Sequence, residues 1–219
     1  MGQEINLLEK YPKAKRNLEE RANSKTEKER EIARLFDKEF FDGDRRHGYG
    51  GYNYNPKYWS RVVPDFKKYW KLTAKSSLLD VGCGKGFMLY DFKRLIQGIT
   101  VKGIDISSYA IENCHHEMKN FVKVGNANKL EFDDNKFDYV ISINTIHNLD
   151  LNECKNAIKE ISRVSSKGSF ITVDAYSNTD EKKRMYDWNL TAKTILSVDE
   201  WKLLFKELKY DGDYFWFIP

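Results

Sequence analysis

The sequence predicts an α/β chain, a doubly wound, mostly parallel sheet preceded by an N-terminal helical arm, and three observations carry that prediction. From Ser77 onward short apolar runs alternate with segments long enough for three helical turns. The first two of these runs end in LLDVGCGKG and GIDIS, placing glycines and carboxylates where such sheets bind ligands. The residues ahead of Ser77 lack the alternation and are dense in charge. With 219 residues, 41% apolar and 32% charged, the chain suits one domain, with an arm and lid over 1–76 and a core over 77–219.

Residues 14–40 read as a weakly amphipathic helix, with Leu18, Ala22, Ile32, Leu35, Phe36 and Phe40 spaced among alternating Lys and Glu. Gly43 breaks it. HGYGGYNYNPKYW follows from His47 to Trp59, and YWSRVVPDFKKYWKLT then reads as helix, kinked or split at Pro64. Strands are expected at 77–82, 100–106, 121–125, 137–144 and 169–175. GFMLYDFKRLI, SSYAIENCHHEMKN and LNECKNAIKEISRV form the helices between them, the last begun by Asp150 and Glu153. Two more helices, DEKKRMYDWNLTAK and VDEWKLLFKEL, precede a final strand in GDYFWFIP, and Ser197 and Glu200 stand at capping-box spacing.

Composition excludes several classes. No window approaches the roughly 18 apolar residues of a membrane span, and the N-terminus lacks the apolar stretch of a secretory leader, so a cytoplasmic protein without membrane contact is expected. Cys83, Cys114 and Cys154 are too few and scattered for a disulfide framework or zinc site, and no metal is expected. The net charge of +4 sits in the arm, where residues 1–76 hold 18 Lys/Arg against 12 Asp/Glu. That small excess could meet an anionic partner, but the Lys–Glu alternation is more simply a solvated helix.

The strand ends narrow the ligand. Gly82, Gly84 and Gly86 let a ligand approach the backbone, and Asp105, 23 residues after Gly82, can accept both hydroxyls of a ribose. A phosphate-binding P-loop fails, because Leu79 and Gly86 stand where a glycine and a Ser or Thr are required. The dinucleotide spacing fails at Phe87, which occupies the third glycine's place. Asp80, immediately before the loop, would repel a pyrophosphate but attract an ammonium or another cation.

This D-x-G-x-G-x-G run with an acidic residue ending the second strand resembles the class I S-adenosylmethionine-dependent methyltransferases, which have a Rossmann-like sheet. The resemblance extends through GNANKLEFDDNKFDYVISINTIHNL and EISRVSSKGSFITVDAY, covering residues 77–176. It implies S-adenosylmethionine as cofactor, contacted by Asp80, Gly82, Cys83, Gly84, Asp105, Ile106, Asn126, Ala127 and Asn144, with Asn126 where the family usually carries Asp. The family ends in an antiparallel strand pair. Here there is room for one strand, so the sheet edge is expected to be incomplete or differently built.

The glycine-tyrosine stretch reads as a flap, its glycines turning tightly and Tyr52, Tyr54 and Trp59 walling the cofactor; packing of the arm onto the core is the alternative. His147, three residues past Asn144, is the candidate general base at the mouth of the site, with a pocket-shaping role equally open and His47 as second choice. INTIHN carries neither Pro-Pro-Tyr nor Pro-Cys, which argues against a nucleobase acceptor. FDGDRRHGYGGYNY and EKKRMYDWNLTAKTILSVDEW resemble a group of bacterial methyltransferases of surface-glycan biosynthesis, including nonulosonic acids. That implies a polar, anionic sugar-type acceptor met by Arg45, Arg46, Tyr49 and Asn148, with Arg184 available and the insertion 179–196 as the opposite wall. The rival readings are an RNA-associated methyltransferase and a catalytically silent cofactor-binding subunit.

Overall fold

In the computed structural model, residues 2–12, 26–50 and 52–219 are described. Seven parallel strands form one sheet: β1 (Ser77–Val81), β2 (Thr100–Asp105), β3 (Val122–Val124), β4 (Phe137–Ile143), β5 (Ser165–Tyr176), β6 (Leu196–Ser197) and β7 (Asp213–Phe217). The order is β3-β2-β1-β4-β5-β7, and the short β6 pairs with the last two residues of β5. The strand order therefore reverses between β1 and β4, where ligands of such sheets bind.

The arm contributes α1 (Glu27–Arg34), α2 (Lys38–Phe41), α3 (Pro56–Trp59) and α4 (Val63–Trp70). The core contributes α5 (Phe87–Leu95), α6 (Ser108–Glu112), α7 (Leu151–Val164), α8 (Thr179–Trp188) and α9 (Val198–Glu207). Side chains alternate across a strand, and each face of this sheet is buried by a different set of helices. Leu78, Ile141 and Phe170 pack under α4 and α5 with Phe66 and Phe92; their neighbours Leu79, Val140 and Ile171 pack under α7 and α9 with Ile158, Trp201 and Phe205. This parity places Asp80 on the same face as Leu78, and Asp105 on the same face as Val101.

Local chemistry explains where the elements differ from the sequence-based expectation. Residues 14–25 of the expected long helix lie outside the described residues. Its remainder breaks into α1 and α2 at Phe36, whose φ of 50° is left-handed. The segment after Trp59 splits at residues 60–62, and Pro64 sits in the first turn of α4, where its missing N–H costs nothing. The expected helix over 107–120 is cut to α6 and a 3₁₀ turn, His116–Met118, by the extended backbone of His115. The helix expected through Lys193 stops at Trp188, where Asn189 leaves helical conformation.

The sheet edge is completed by the chain's own N-terminus. Tyr214 accepts from Ile5 N (3.0 Å) and donates to Gln3 O (3.0 Å), Gln3 N donates to Asp213 Oδ1 (2.8 Å), and Lys202 pairs with Glu4 at 2.9 Å. An edge strand left bare is a template for foreign pairing. Deleting residues 1–6, which spares the buried Leu7, is expected to cost about 1–3 kcal/mol for the two lost backbone bonds. Urea denaturation measures this; an unchanged midpoint would contradict the strap's role.

Candidate functional site

The floor of the site is built by β1, the loop after it, and β2. Gly82 (φ 88°) donates to Ile104 O at 2.8 Å, and a side chain there would run into Thr145, so only glycine lets the β1 and β4 loops approach. Gly86 (φ 74°) opens α5. Asp105 fixes the loop, with Oδ2 accepting from Gly84 N (2.7 Å) and Oδ1 from Ser107 N (2.9 Å); each oxygen keeps a second lone pair for a ligand.

Asp80 and Asp105 are 4% and 9% exposed, and among the described residues neither forms an ion pair. Burial first, and the nearby Asp105 second, push the Asp80 carboxyl up to about 8. Burial also raises Asp105, against the pull of its backbone donors. Two buried acids on one face with no basic partner form a site that a cation completes. Cys83 lines the same cleft; burial and the two acids hold its thiol far up, so it is a neutral wall and not a nucleophile.

The cleft, about 220 Å³, is roofed by aromatic residues of the arm: Phe40, Phe41, Tyr58 and Trp59, with the Tyr11 ring tilted against Trp59 at 4.8 Å between ring centres. Phe41 lies over Gly84, its Cε1 only 3.5 Å from where a side chain would begin. Asn53 and Gly50 line the cleft from the glycine-tyrosine stretch, and Ile143 from β4. Trp59 thus lines the cleft. Phe40, Phe41, Tyr11 and Tyr58 were not singled out; the double phenylalanine beside Gly43 was the available signal.

Tyr54 and Tyr52 lie elsewhere. Tyr54 donates to Asp91 Oδ1 (2.9 Å) and packs on Tyr90 and His115, because Asp91 is fully buried on α5 and takes donors from both Tyr54 and Arg94. Its ring anchors the arm instead of walling the cleft. Tyr52 is not among the residues lining the cleft; its carbonyl accepts from Lys85, and its hydroxyl is buried without a partner.

His147 is 4% exposed and not at the mouth. Its Nδ1 accepts from Asp174 N (2.9 Å), which puts the proton on Nε2, 3.8 Å from Asp174 Oδ2. Its carbonyl takes Lys193 N and Thr194 N. Burial lowers its pKa, outweighing Asp174. With Nδ1 occupied and Nε2 protonated, the ring is tied to β5 and offers no free lone pair, while the carbonyl holds the loop at Lys193 and Thr194. His47, the second choice, lies on the arm with Nδ1 3.4 Å from Glu39.

Asn144 ends β4 in left-handed backbone (φ 51°), its Oδ1 held by Thr172 Oγ1 at 2.9 Å. Asn148 donates to Asn144 O (3.3 Å), and its own Oδ1 is buried without a partner. Ile106 is 56% exposed beside Asp105, an apolar face open for a flat ring. Asn126 spends its Oδ1 on Asn128 N (3.1 Å), and Ala127 packs against the core. Tyr49 accepts from Leu190 N (2.9 Å) and packs on Trp188, docking the arm on the insertion. Arg46 is taken by Asp44, Arg184 donates to Pro219 O, and exposed Arg45 lies close to Gly50.

The raised Asp80 pKa has a stability consequence. The folded carboxyl holds its proton to about 8 while the unfolded one loses it near 4, so folding stability falls as pH rises across that window. Asp80→Asn, which mimics the protonated acid, is expected to gain stability relative to the parent steadily from pH 5 to pH 8. Chemical denaturation at several pH values measures the gap; a constant gap would contradict the burial argument.

Comparison with solved structures places the chain among proteins of one fold. It aligns with YcgJ of Bacillus subtilis at 19% identity over 67% of this chain and 66% of that one, TM-score 0.54. It aligns with a SAM-dependent methyltransferase of Methanosarcina mazei at 22% identity over 64% of this chain and 82% of that one, TM-score 0.52. A match to the PH0226 protein of Pyrococcus horikoshii, 32% identical with TM-score 0.44, covers 51% of this chain and spans about half of that protein's length, 55%. Comparison with curated proteins returns no match. A family described as a methyltransferase domain matches residues 72–212, from the end of α4 to the start of β7. By that match, and with a fold and a cation-seeking cleft that suit S-adenosylmethionine, the chain belongs to the methyltransferase domain family.

Proposed function

We propose that the protein transfers a methyl group from S-adenosylmethionine to an oxygen or nitrogen of a small, polar, anionic acceptor, a sugar or sugar acid of the kind built into bacterial surface glycans. The observation that carries the donor is the pair of buried carboxylates, Asp80 and Asp105, without a cation of their own. The small size of the acceptor is supported by the roof: the arm lies over the glycine loop and is docked on the insertion through Tyr49, leaving about 220 Å³.

When bound, the sulfonium supplies an activated methyl group on a neutral leaving group. The chain's own residues do the rest. Asp80 provides the counter-charge to the donor's cationic end, and Asp105, held by two backbone N–H groups, presents its remaining lone pairs to a ribose. Phe40, Phe41, Tyr58 and Trp59 exclude water and offer aromatic faces worth about 0.5–2 kcal/mol to a cation. Ile106, exposed beside Asp105, and Ala127 are the apolar residues that would hold an adenine. Alignment of donor and acceptor, worth roughly 7–11 kcal/mol, is the main contribution of such a site.

His147 acts here as a positioning residue, since neither ring nitrogen is free to take a proton. This favours an acceptor already ionised or bearing an amine lone pair at working pH. Arg45, exposed beside the cleft-lining Gly50, is the residue to pair with its carboxylate or phosphate.

The test is incubation with methyl-labelled donor and a panel of nucleotide sugars and sugar acids, followed by mass spectrometry. Label in an anionic sugar is expected, and Arg45→Ala should raise its KM about tenfold, some 1.4 kcal/mol, with donor affinity unchanged. Label appearing in RNA alone would replace this reading with the nucleic-acid one, and a donor that binds without any turnover would support the silent subunit.

A further inference from the structure

A lysine stands inside the glycine loop, at the edge of a cleft that two acids make suitable for a cation. Left free, its charge would oppose the ligand. Instead the Lys85 ammonium is 7% exposed and spends all three donors on the arm: Asp42 Oδ1 at 2.6 Å, Asp42 Oδ2 at 2.7 Å and Tyr52 O at 3.0 Å. Tyr109 of α6 adds a bond to Asp42 Oδ2 at 2.7 Å. Burial pushes the Asp42 carboxyl up, but the bonds from Lys85 and Tyr109 outweigh it and hold it below its usual value, so the carboxylate stays ionised.

Asp42 and Tyr52 are the two ends of the glycine-rich lid loop, and one ammonium holds both. Phe41, adjacent to Asp42, is the residue lying over Gly84. The cleft is lined from above by Phe40, Phe41, Gly50 and Asn53, and from below by Asp80, Gly82, Cys83 and Gly84. A ligand seated between these sets would lie under Phe41, next to the clamped Asp42.

We propose that Lys85 is a positioning residue that clamps both ends of the lid loop to the glycine loop, so that donor and product exchange only when the Lys85–Asp42 clamp opens. The inference rests on the donor reading above. It assigns Lys85, Asp42 and Tyr109 to lid closure and not to ligand contact.

The test uses the full chain in two measurements. Stopped-flow tryptophan fluorescence follows binding and release of S-adenosylhomocysteine, and amide exchange on the ligand-free protein follows residues 43–50. Asp42→Asn is expected to speed both association and release about tenfold, and Tyr109→Phe several-fold, with affinity changing less than either rate, because loss of one partner of a charge pair whose ammonium is buried acts on residence time. Amide protection of the lid should fall in parallel. Adding Lys85→Met to Asp42→Asn should change little further, since the clamp is already open.

Faster lid exchange with unchanged release would overturn the gate, and unchanged lid protection in Asp42→Asn would overturn the clamp itself. The ligand-free measurement stands even if the parent protein binds no adenosylhomocysteine, an outcome that would instead refute the donor reading. Should Lys85→Met fail to fold, the two single variants outside the glycine loop carry the test.

Discussion

Two carboxylates buried side by side without a cation are the constraint on which the site depends. Strand parity puts Asp80 and Asp105 on one face of adjacent parallel strands, and the register that pairs Asp80 with Gly103 leaves Asp105 two residues further along. An isolated charge in such a place is costly, so Asp80 keeps its proton near neutral pH and its neighbour is tied to backbone donors. The fold tolerates this unfavourable pair because the rest of the sheet is packed on both faces with apolar side chains. A ligand that carries positive charge relieves the cost, and one that carries a diphosphate increases it.

A cation held by buried acids also has to be kept from water, which accounts for the arm. Its attachments are polar and specific: Tyr54 to Asp91 on α5, Asp42 to Lys85 in the glycine loop, Tyr49 to Leu190 N, and Arg30 to Asn189 O in the loop before β6. Together these fix the roof at the glycine loop, at the first crossover helix and at the insertion. The aromatic residues that line the cleft flank those anchors along the chain, Phe40 and Phe41 just before Asp42 and Tyr58 and Trp59 after Tyr54. Some tyrosines of the glycine-tyrosine stretch therefore serve as anchors, while phenylalanines just before it and Trp59 after it serve as roof.

Much of the core was legible in the sequence because its signals are local. Apolar runs of strand length, the glycine spacing after β1 and the acid ending β2 each follow from one stretch of chain, and Asp150 and Ser197 cap α7 and α9 as their spacing indicated. What the sequence hid depends on pairing across long separations. The bridge from Gln3–Ile5 to Tyr214 of β7 spans more than two hundred residues, and nothing in MGQEIN marks it. The direction of Tyr54 is decided by Asp91, and the tautomer of His147 by the backbone of Asp174, so neither role could be read from position. Nothing in the glycine loop marks Lys85 for the arm, and its partner Asp42 lies 43 residues earlier.

The account's central claim is that this cleft takes a cationic sulfur nucleoside and not a dinucleotide. Calorimetric titration of the full chain with S-adenosylmethionine and with NAD at matched pH tests it most directly. Saturable binding of the sulfonium nucleoside, accompanied by proton release below pH 8 and absent with NAD, is the predicted result. Tight uptake of NAD with no response to S-adenosylmethionine would contradict it.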